Sequence, residues 1–185
     1  MPQRRVTTSS IDLSEADAAW PSTFETERTR IAAALATPTR IEHIGSTAVP
    51  GLAAKNTVDI LVVLAGPDDF ASAIDALAAI GYDHRPASFA DRPRHEFLRK
   101  VAGGRRTHHL HLLTVDAPEV DDYLGLRDYL RVHAGAVRRY AAVKRDLAAK
   151  DAHPEDRTRY IDGKADVVRE LLAAARAWRV RRPAG

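Results

Sequence analysis

Residues 41–64 read IEHIGSTAVPGLAAKNTVDILVVL, and this stretch decides the fold. It begins with a short strand that runs from Arg40 into Gly45. It ends with an apolar, β-branched strand over residues 57–64, a pattern typical of a central strand, in which Asp59 is the single carboxylate. Such a carboxylate is expensive to bury unless it is paired, hydrogen-bonded or bound to a metal. The stretch therefore predicts a sheet in which Asp59 has a partner.

Helices and strands alternate irregularly around this stretch. Ser22 and Glu25 form a capping-box pattern at the start of the first helix. Helices are predicted over residues 22–36 and 67–81, and strands over residues 40–45, 57–64, 96–101 and 107–115. The order helix, strand, strand, helix, strand, strand indicates a mixed α/β sheet and not a regular doubly wound one.

From Pro118 onward the chain is predicted to be helical, in segments at about 118–132, 135–149 and 155–178. No internal repeat or low-complexity linker divides the sequence. We therefore predict a single α/β domain over residues 1–185, with an α/β head at about 11–117 and a helical C-terminal part at 118–178.

The composition narrows the classes of protein. Hydrophobic residues make up 45% of the 185 residues and charged residues 29%, which is typical of a globular protein. No apolar run approaches the ~20 residues that span a bilayer, and no apolar segment follows the basic N-terminus as in a secretory signal. The absence of cysteine excludes disulfides, thiolate nucleophiles and cysteine-bound zinc. These features predict a cytoplasmic protein with no membrane partner.

The charge is only mildly basic, with a formal net charge of +3. The dense basic residues lie at the C-terminal end of the chain, where they are typical of a solvated helix end: Arg176, Arg179, Arg181 and Arg182. A protein that binds nucleic acid without sequence preference usually carries a longer basic stripe. We therefore predict no nucleic-acid partner, and a modest positive excess suited to a phosphate-bearing small molecule.

The Gly45–Ser46 pair is a candidate phosphate-binding site. Glycine lets the backbone approach a phosphate closely, and the Ser46 hydroxyl adds a donor. Thr47 offers a second hydroxyl. The alternative is an ordinary turn beside a structural aspartate, because Gly-Ser pairs are common.

The run THHLHL over residues 107–112 is a second candidate. In a strand, His109 and His111 share one face, while His108 alternates onto the leucine face and is predicted to be structural. Two neighbouring imidazoles can bind a metal or an anion. The alternative is a pair of histidines on the solvated side of a sheet.

Each C-terminal helix carries one basic residue on its apolar stripe: Arg127, Lys144 and Lys164. Snorkelling explains any one of them, but three in succession favour convergence on an anion. Arg99 and Lys100 could contribute from the neighbouring strand.

Several of these stretches together resemble the GrpB family, also called UPF0157. The resemblance is carried by residues 41–55 and 58–63, Ala19-Trp20-Pro21, Phe97-Leu98-Arg99-Lys100, residues 106–112, residues 126–131, Tyr140, Lys144, Tyr160 and Lys164, and it runs from about residue 11 to 175. It implies a nucleotidyltransferase-like fold, a small mixed sheet flanked by helices. It also implies that Gly45 and Ser46 bind phosphate and that Asp59 is the first metal-binding carboxylate.

The sequence departs from the superfamily at the metal site. The second carboxylate is expected two residues after Asp59, where this chain has Leu61, and the third falls in the strand that offers His109 and His111. The expected cofactor is a divalent metal, either Mg²⁺ or a transition metal; one aspartate with two histidines suits a transition metal better. Alternatively, the histidines contact phosphate directly and no tight metal site exists.

The resulting functional prediction is a nucleotide-dependent transferase. Gly45, Ser46 and Thr47 would hold a nucleoside triphosphate, and Lys55, Arg99, Lys100, Arg127, Lys144 and Lys164 would offset its charge. Asp59, His109 and His111 would be catalytic, and would bind the metal or orient the attacking group of an unknown small-molecule acceptor. The alternatives are a non-catalytic nucleotide- or anion-binding module and, third, a metal-dependent phosphohydrolase.

Overall fold

The computed structural model describes residues 13–36, 38, 40–150 and 156–181. The strands are β1 (Leu13–Ser14), β2 (Arg40–Ile44), β3 (Ala54–Lys55), β4 (Val58–Leu64), β5 (Tyr82–His84), β6 (His95–Ala102) and β7 (Arg105–Thr114). The helices are α1 (Trp20–Ala34), α2 (Phe70–Ala79), α3 (Pro118–Val132), α4 (Ala134–Lys150) and α5 (Asp156–Arg181). The predicted mixed α/β order is confirmed. Predictions on residues 11–12, on Arg182 and on the Tyr160 side chain lie outside the described residues.

The main sheet has five strands in the order β2-β4-β7-β6-β5. The central β4 pairs with β7 in parallel, and the other neighbours are antiparallel. β1 and β3 form a separate two-stranded ribbon. The strand that carries Asp59 therefore lies between β2, which leads into Gly45, and β7, which carries the histidines.

Pairing and strand alternation divide the sheet into two faces. One face, called the C-terminal-helix face, contains Asp59, Leu61, His109, His111 and Ile44; the other, called the α1–α2 face, contains Ile60, Val62, His108, Leu110 and His43. On the α1–α2 face, apolar side chains of the sheet pack with Trp20, Phe24, Ile31 and Leu77 into a large core. This face is closed by two helices.

The C-terminal-helix face is closed over only part of its length. Leu61, Val63 and Leu113 pack against α3 through Val120 and Leu124. A third cluster joins α3, α4 and α5 to the segment that follows the Gly45–Ser46 bend, through Val49 and Leu52. The helical part is thereby held beside the bend.

Two details of the fold differ from the sequence prediction. Helix α1 begins at Trp20, with Ala19 at the N-cap and Pro21 in the first turn, and the Ser22 hydroxyl donates to the Ala19 carbonyl. The capping-box prediction at Ser22 was therefore wrong, because proline fits the first turn and the Trp20 side chain is buried. The short strands β1, β3 and β5 were not predicted; β1 and β3 pair with each other, and β5 adds to the sheet edge only through pairing with β6. Among the described residues, no helix is both long enough and apolar enough to cross a membrane.

Candidate functional site

The carboxylate of Asp59 packs directly against Gly45. Ile44 is opposite Asp59 in the β2–β4 register, so the chain leaves β2 at the level of this carboxylate. Gly45 has φ +70° and ψ −165°, and a Cβ added there would lie 2.3 Å from Asp59 Oδ2. Only glycine combines this backbone conformation with this approach. The bend and the aspartate are therefore one structural unit.

Asp59 is also paired with His109 on the neighbouring strand. Asp59 Oδ1 lies 3.1 Å from His109 Nδ1, and the two side chains remain 27% and 25% exposed, respectively. Burial opposes ionisation of Asp59, but the hydrogen bond from His109 and the positive charge of Lys164 outweigh it and lower its pKa. Asp59 is thus an ionised, accessible carboxylate at neutral pH.

Lys144 reaches the same bend from α4. Its Nζ donates to Ser46 Oγ at 2.9 Å and to the Ala53 carbonyl, and lies 4.4 Å from the Tyr140 ring centroid. The residue is only 2% exposed. Burial lowers the pKa of Lys144 to about 7, and the positive charge of Lys164 acts in the same direction while Asp59 opposes it. A cation thus lies at the Gly45–Ser46 bend.

Lys164 on α5 completes this group. Its charge acts on both Asp59 and Lys144, so the three side chains interact electrostatically. Of the three helix-borne cations predicted to converge, Lys144 contacts the bend, and Lys164 is near enough for its charge to act on Asp59 and Lys144. A carboxylate and two positive charges therefore act on one another around the bend.

His111 belongs to a neighbouring aromatic cluster. Its Nδ1 lies 2.9 Å from His95 Nε2 and 3.1 Å from the Tyr123 hydroxyl, and the rings of Phe89 and Phe97 pack around it. Burial lowers the pKa of His111 to about 3 and that of His95 to about 4. His111 is therefore a neutral side chain whose Nδ1 already has partners.

The metal site expected from the superfamily does not fit these residues. Leu61, at the position of the second carboxylate, is 0% exposed and packs in the apolar cluster under α3. Within the described part of the chain, no three His, Asp or Glu side chains are grouped so that they could hold a metal ion. The metal-ligand role of Asp59, His109 and His111 stays a prediction that this donor set does not favour.

Two predicted phosphate ligands lie on the wrong face of the sheet. The Thr47 hydroxyl is buried against His43 Nε2 at 2.9 Å, and His43 stacks on Phe24 in the α1–α2 core. Lys100 points into the same core, where its Nζ lies 2.6 Å from Glu27 Oε1. Neither side chain is brought to the bend: Lys100 alternates with Arg99 along β6 and so faces the other side of the sheet, and the Thr47 hydroxyl is taken up by His43.

Arg127 has a structural role instead of the predicted phosphate-binding one. Its guanidinium donates to Glu42 Oε2 at 2.7 Å, to the His43 carbonyl at 3.2 Å and to Asp128 Oδ1 at 2.8 Å. It therefore holds the end of β2 from the outside. The helical stripe located Arg127 correctly but did not show that Glu42 would be its partner.

The remaining predicted cations are peripheral. Arg99 is next to His109 in the β6–β7 register, and its guanidinium is paired with Asp83 at 2.9 Å. Lys55 lies in β3 opposite Leu13 and is half-buried. Neither contributes a described contact to Asp59 or Ser46.

Sequence reasoning missed two residues that shape the bend. The Tyr140 ring lies under the Lys144 ammonium that bonds Ser46, and burial raises the pKa of Tyr140 to about 12. Arg131 Nε donates to the Ala48 carbonyl at 2.9 Å. Tyr140 shares a helical stripe with Lys144, which was a usable signal; Arg131 gave none beyond its spacing of one turn from Arg127.

Comparison with known proteins identifies the family of this chain. The sequence profile of the family described as GrpB protein matches residues 10–174. A UPF0157 protein of Pseudomonas aeruginosa is 39% identical over 170 residues, which cover 90% of this chain and 68% of that protein. A UPF0157 protein of Streptomyces coelicolor is 39% identical over 169 residues, which cover 91% of this chain and 86% of that protein.

Solved structures show the same fold. The crystal structure of conserved protein GrpB from Enterococcus faecalis matches with a TM-score of 0.79 at 29% identity, over 90% of this chain and 99% of that chain. The Cid1 poly(U) polymerase, in its Mg 3′-dATP-bound form, matches with a TM-score of 0.51 at 14% identity, over 72% of this chain and 42% of that chain, a likeness of fold alone. The chain therefore belongs to the GrpB family and has a nucleotidyltransferase-like fold.

Proposed function

We propose that this protein binds a nucleoside triphosphate at the Gly45–Ser46 bend and transfers its nucleotidyl group to a small-molecule acceptor. The observation that carries the proposal is the hydrogen bond of 2.9 Å from Lys144 Nζ to Ser46 Oγ, at the bend that also packs on Asp59. A hydroxyl, a cation and a carboxylate therefore lie at one bend. The hydroxyl and the cation suit the phosphates of the nucleotide, and the carboxylate suits the acceptor that attacks them.

The phosphate end of the site is the part that contains Ser46, Lys144 and Lys164. Within the described residues, Lys144 forms no ion pair with a carboxylate; its hydrogen bonds go to the Ser46 hydroxyl and the Ala53 carbonyl. A buried cation without a bound anion is costly, and a phosphate oxygen would relieve that cost. Bound phosphate would also raise the pKa of Lys144 from about 7, so nucleotide binding would draw a proton onto it.

The acceptor end is the pair Asp59–His109. Because Asp59 is ionised, its Oδ1 accepts the hydrogen bond, so His109 Nδ1 carries the proton and Nε2 is left with a lone pair. In the proposed step the acceptor's oxygen or nitrogen attacks the α-phosphorus, its proton passes to His109 Nε2, and the bond to pyrophosphate breaks. Lys144 and Lys164 would offset the charge on the departing pyrophosphate. No step is assigned to a protein-bound metal.

A second candidate is a nucleotide- or anion-binding module without catalysis. The buried Leu61 favours it, because the second metal-binding carboxylate of the superfamily has been replaced by a core residue. In that case Ser46, Lys144 and Lys164 would bind phosphate, and Asp59 with His109 would serve only to shape the bend.

Binding and turnover measured side by side separate the two candidates. Calorimetric titration with each of the four ribonucleoside triphosphates gives binding, and pyrophosphate release in the presence of a panel of hydroxyl and amine acceptors gives turnover. Both are run with Mg²⁺, with Mn²⁺ and with a chelator. Lys144→Met is compared with Lys150→Met, the same change at an exposed position on the same helix.

The transferase proposal expects binding that Lys144→Met weakens by about 100-fold and Lys150→Met leaves unchanged. It expects pyrophosphate release that His109→Gln lowers by about 100-fold with little change in binding. Binding without release under every condition supports the module. No binding of any nucleotide overturns both.

A further inference from the structure

A second site lies behind the bend, between α3, the C-terminal end of α5 and the start of β2. It is a cavity of about 520 Å³ that includes Arg40, Leu124, Asp128, Arg131, Trp178 and Arg179 in its wall. This volume is in the range that holds small ligands in proteins. Asp59, Ser46, His109 and Lys144 are not part of its wall, so it is distinct from the proposed nucleotide site.

One positive side chain in the wall, Arg131, has no carboxylate partner among the described residues. Arg179 is bound to Asp121 Oδ1 at 3.0 Å, and Asp128 is bound by Arg127 at 2.8 Å, so each carboxylate of the wall already has a guanidinium partner. Arg131 uses Nε on the Ala48 carbonyl, and among the described residues it forms no ion pair with a carboxylate. Partial burial lowers the pKa of Arg131, and the positive charge of Arg127 acts in the same direction, while Asp128 and Glu42 oppose it. Arg131 is exposed, so an anionic ligand in the cavity could reach its guanidinium.

Trp178 is the aromatic residue of the wall, and its ring is fixed in place by two neighbours. Tyr129 and His133 stack with ring centroids 4.0 Å apart, and Trp178 meets both of them edge-on at 6.0 and 5.6 Å. The backbone carbonyl of Tyr129 lies 2.7 Å from His133 Nδ1, which further fixes the pair. Leu124 adds an apolar surface. A rigid indole beside a guanidinium suits a flat ring that carries an anionic group.

We propose that this cavity binds a small aromatic anion, a planar ring bearing a phosphate or carboxylate group, with the anion on Arg131 and the ring against Trp178. The proposal does not depend on the nucleotide site. Because Arg131 also holds the Ala48 carbonyl, the ligand would contact the residue that fixes the back of the Gly45–Ser46 bend.

The tryptophans provide a direct assay with phenyl phosphate as the probe. The chain has 2 tryptophans; Trp20 is buried, with its Nε1 on Asn56 Oδ1, so a fluorescence change on titration reports Trp178. We expect saturable binding, with benzoate also binding, and with phenol and inorganic phosphate each about tenfold weaker because each offers half of the contacts. Trp178→Phe removes the signal, and calorimetry then measures the residual binding.

The variants locate the site. Arg131→Gln is expected to weaken phenyl phosphate binding by about tenfold or more, and Arg131→Lys by less, because the charge remains. Arg138→Gln, an exposed arginine on α4 outside the wall, leaves binding unchanged, as does Lys144→Met at the nucleotide site. If Arg131→Gln fails to fold, Arg131→Lys alone tests the site, with a smaller loss of binding expected.

Any of three outcomes overturns the proposal. The first is no saturable binding up to about 10 mM probe, a concentration above the dissociation constant expected of a specific site. The second is equal binding by Arg131→Gln and the unmodified protein, and the third is loss of binding in Lys144→Met. The last would assign the anion to the Gly45–Ser46 bend. Failure of nucleotide binding in the earlier experiment leaves this test unaffected, since the probe and the variants differ.

Discussion

Each side of the sheet has a lysine that is largely removed from solvent, and the two lysines have different kinds of partner. On the α1–α2 face, the Lys100 side chain is 14% exposed and its Nζ lies 2.6 Å from Glu27, whose side chain is 5% exposed. On the C-terminal-helix side, Lys144 is 2% exposed and donates to a hydroxyl and a carbonyl. One charge is neutralised inside the fold, and the other is neutralised only in part, by the more distant Asp59.

This difference separates a structural charge from a functional one. A buried ion pair is complete without a ligand, so Lys100 contributes to the uniqueness of the core. A buried ammonium next to a second cation, Lys164, raises the free energy of the unliganded protein and lowers its own pKa. The lysine charge on the face closed by α1 and α2 is thus neutralised by a carboxylate, whereas the lysine charge beside α4 and α5 would be stabilised by a bound anion. The following experiments test that contrast, in order of expected effect.

Glu27→Gln is expected to have the largest effect, on stability. It leaves the Lys100 ammonium buried without its carboxylate, which typically costs about 3–5 kcal/mol. Urea unfolding measures the loss. Glu25→Gln is the matched control: Glu25 lies on the same helix and pairs with Arg28 on the surface, so its loss is expected to cost under about 1 kcal/mol. Equal costs for the two variants would contradict the proposed structural role of Lys100.

Gly45→Ala tests the bend itself and has a matched control in Gly51→Ala. Both glycines have positive φ, +70° and +77°, so alanine is strained at each, at a cost of about 1–3 kcal/mol. At Gly45 the new Cβ also meets Asp59 Oδ2, whereas at Gly51 it meets nothing within 4 Å. We expect Gly45→Ala to cost a further ~1–3 kcal/mol and to displace Asp59. Denaturation and nucleotide titration measure both effects, and identical results for the two would refute the close packing.

Lys144→Met tests the depressed pKa through the pH dependence of stability. With a folded pKa of about 7 and an ordinary value of 10.5, the unfolded chain holds a proton that the folded protein has released between these limits. The free energy of unfolding therefore rises with pH in this window, by up to about 1.4 kcal/mol per pH unit. We expect Lys144→Met to lose this slope and Lys150→Met to keep it. The free energy of unfolding is measured at pH 7.5, 8.5 and 9.5, which lie between the two pKa values. Parallel plots of this free energy against pH for the two variants would show that Lys144 titrates normally.

Ser46→Ala and Thr47→Val form the smallest and sharpest contrast, because these adjacent hydroxyls belong to opposite faces. Thr47→Val removes the partner of His43 Nε2 and is expected to cost about 1 kcal/mol of stability with unchanged nucleotide affinity. Ser46→Ala removes the acceptor of Lys144 and is expected to weaken nucleotide binding by about tenfold. Calorimetry with the best-bound nucleotide decides the outcome. A reversed pattern would mean that the anion site lies on the other side of the bend.

The sequence predicted the architecture well where local signals were strong. The apolar strand around Asp59, the strand that ends in Gly45, and the helix over residues 118–132 all occur as predicted. Alternation also placed His109 and His111 on one face, as the register confirms. The short strand β5 and the start of α1 were missed, since they depend on pairing with β6 and on burial of Trp20.

The structure brings only part of the predicted site together. Asp59 packs on Gly45, Lys144 bonds the adjacent Ser46, and the charge of Lys164 acts on Asp59 and Lys144; what these residues bind stays a prediction. Arg127 was given the same role, but it is bound to Glu42, which is 85 positions away in the chain. His111 was paired with His109 as a ligand, but its Nδ1 is occupied by His95 and Tyr123.

By itself, the sequence determined the fold and the position of the bend, because hydrophobic periodicity and the backbone freedom of Gly45 are properties of short segments. The tertiary structure alone decided how the charges are partnered: Lys100 pairs with Glu27 and Arg127 with Glu42, whereas Lys144, among the described residues, donates to a hydroxyl and a carbonyl and forms no ion pair with a carboxylate. Hydrogen bonds and ion pairs act over only a few ångströms. Their partners are therefore chosen by how distant segments pack together, which local patterns do not encode.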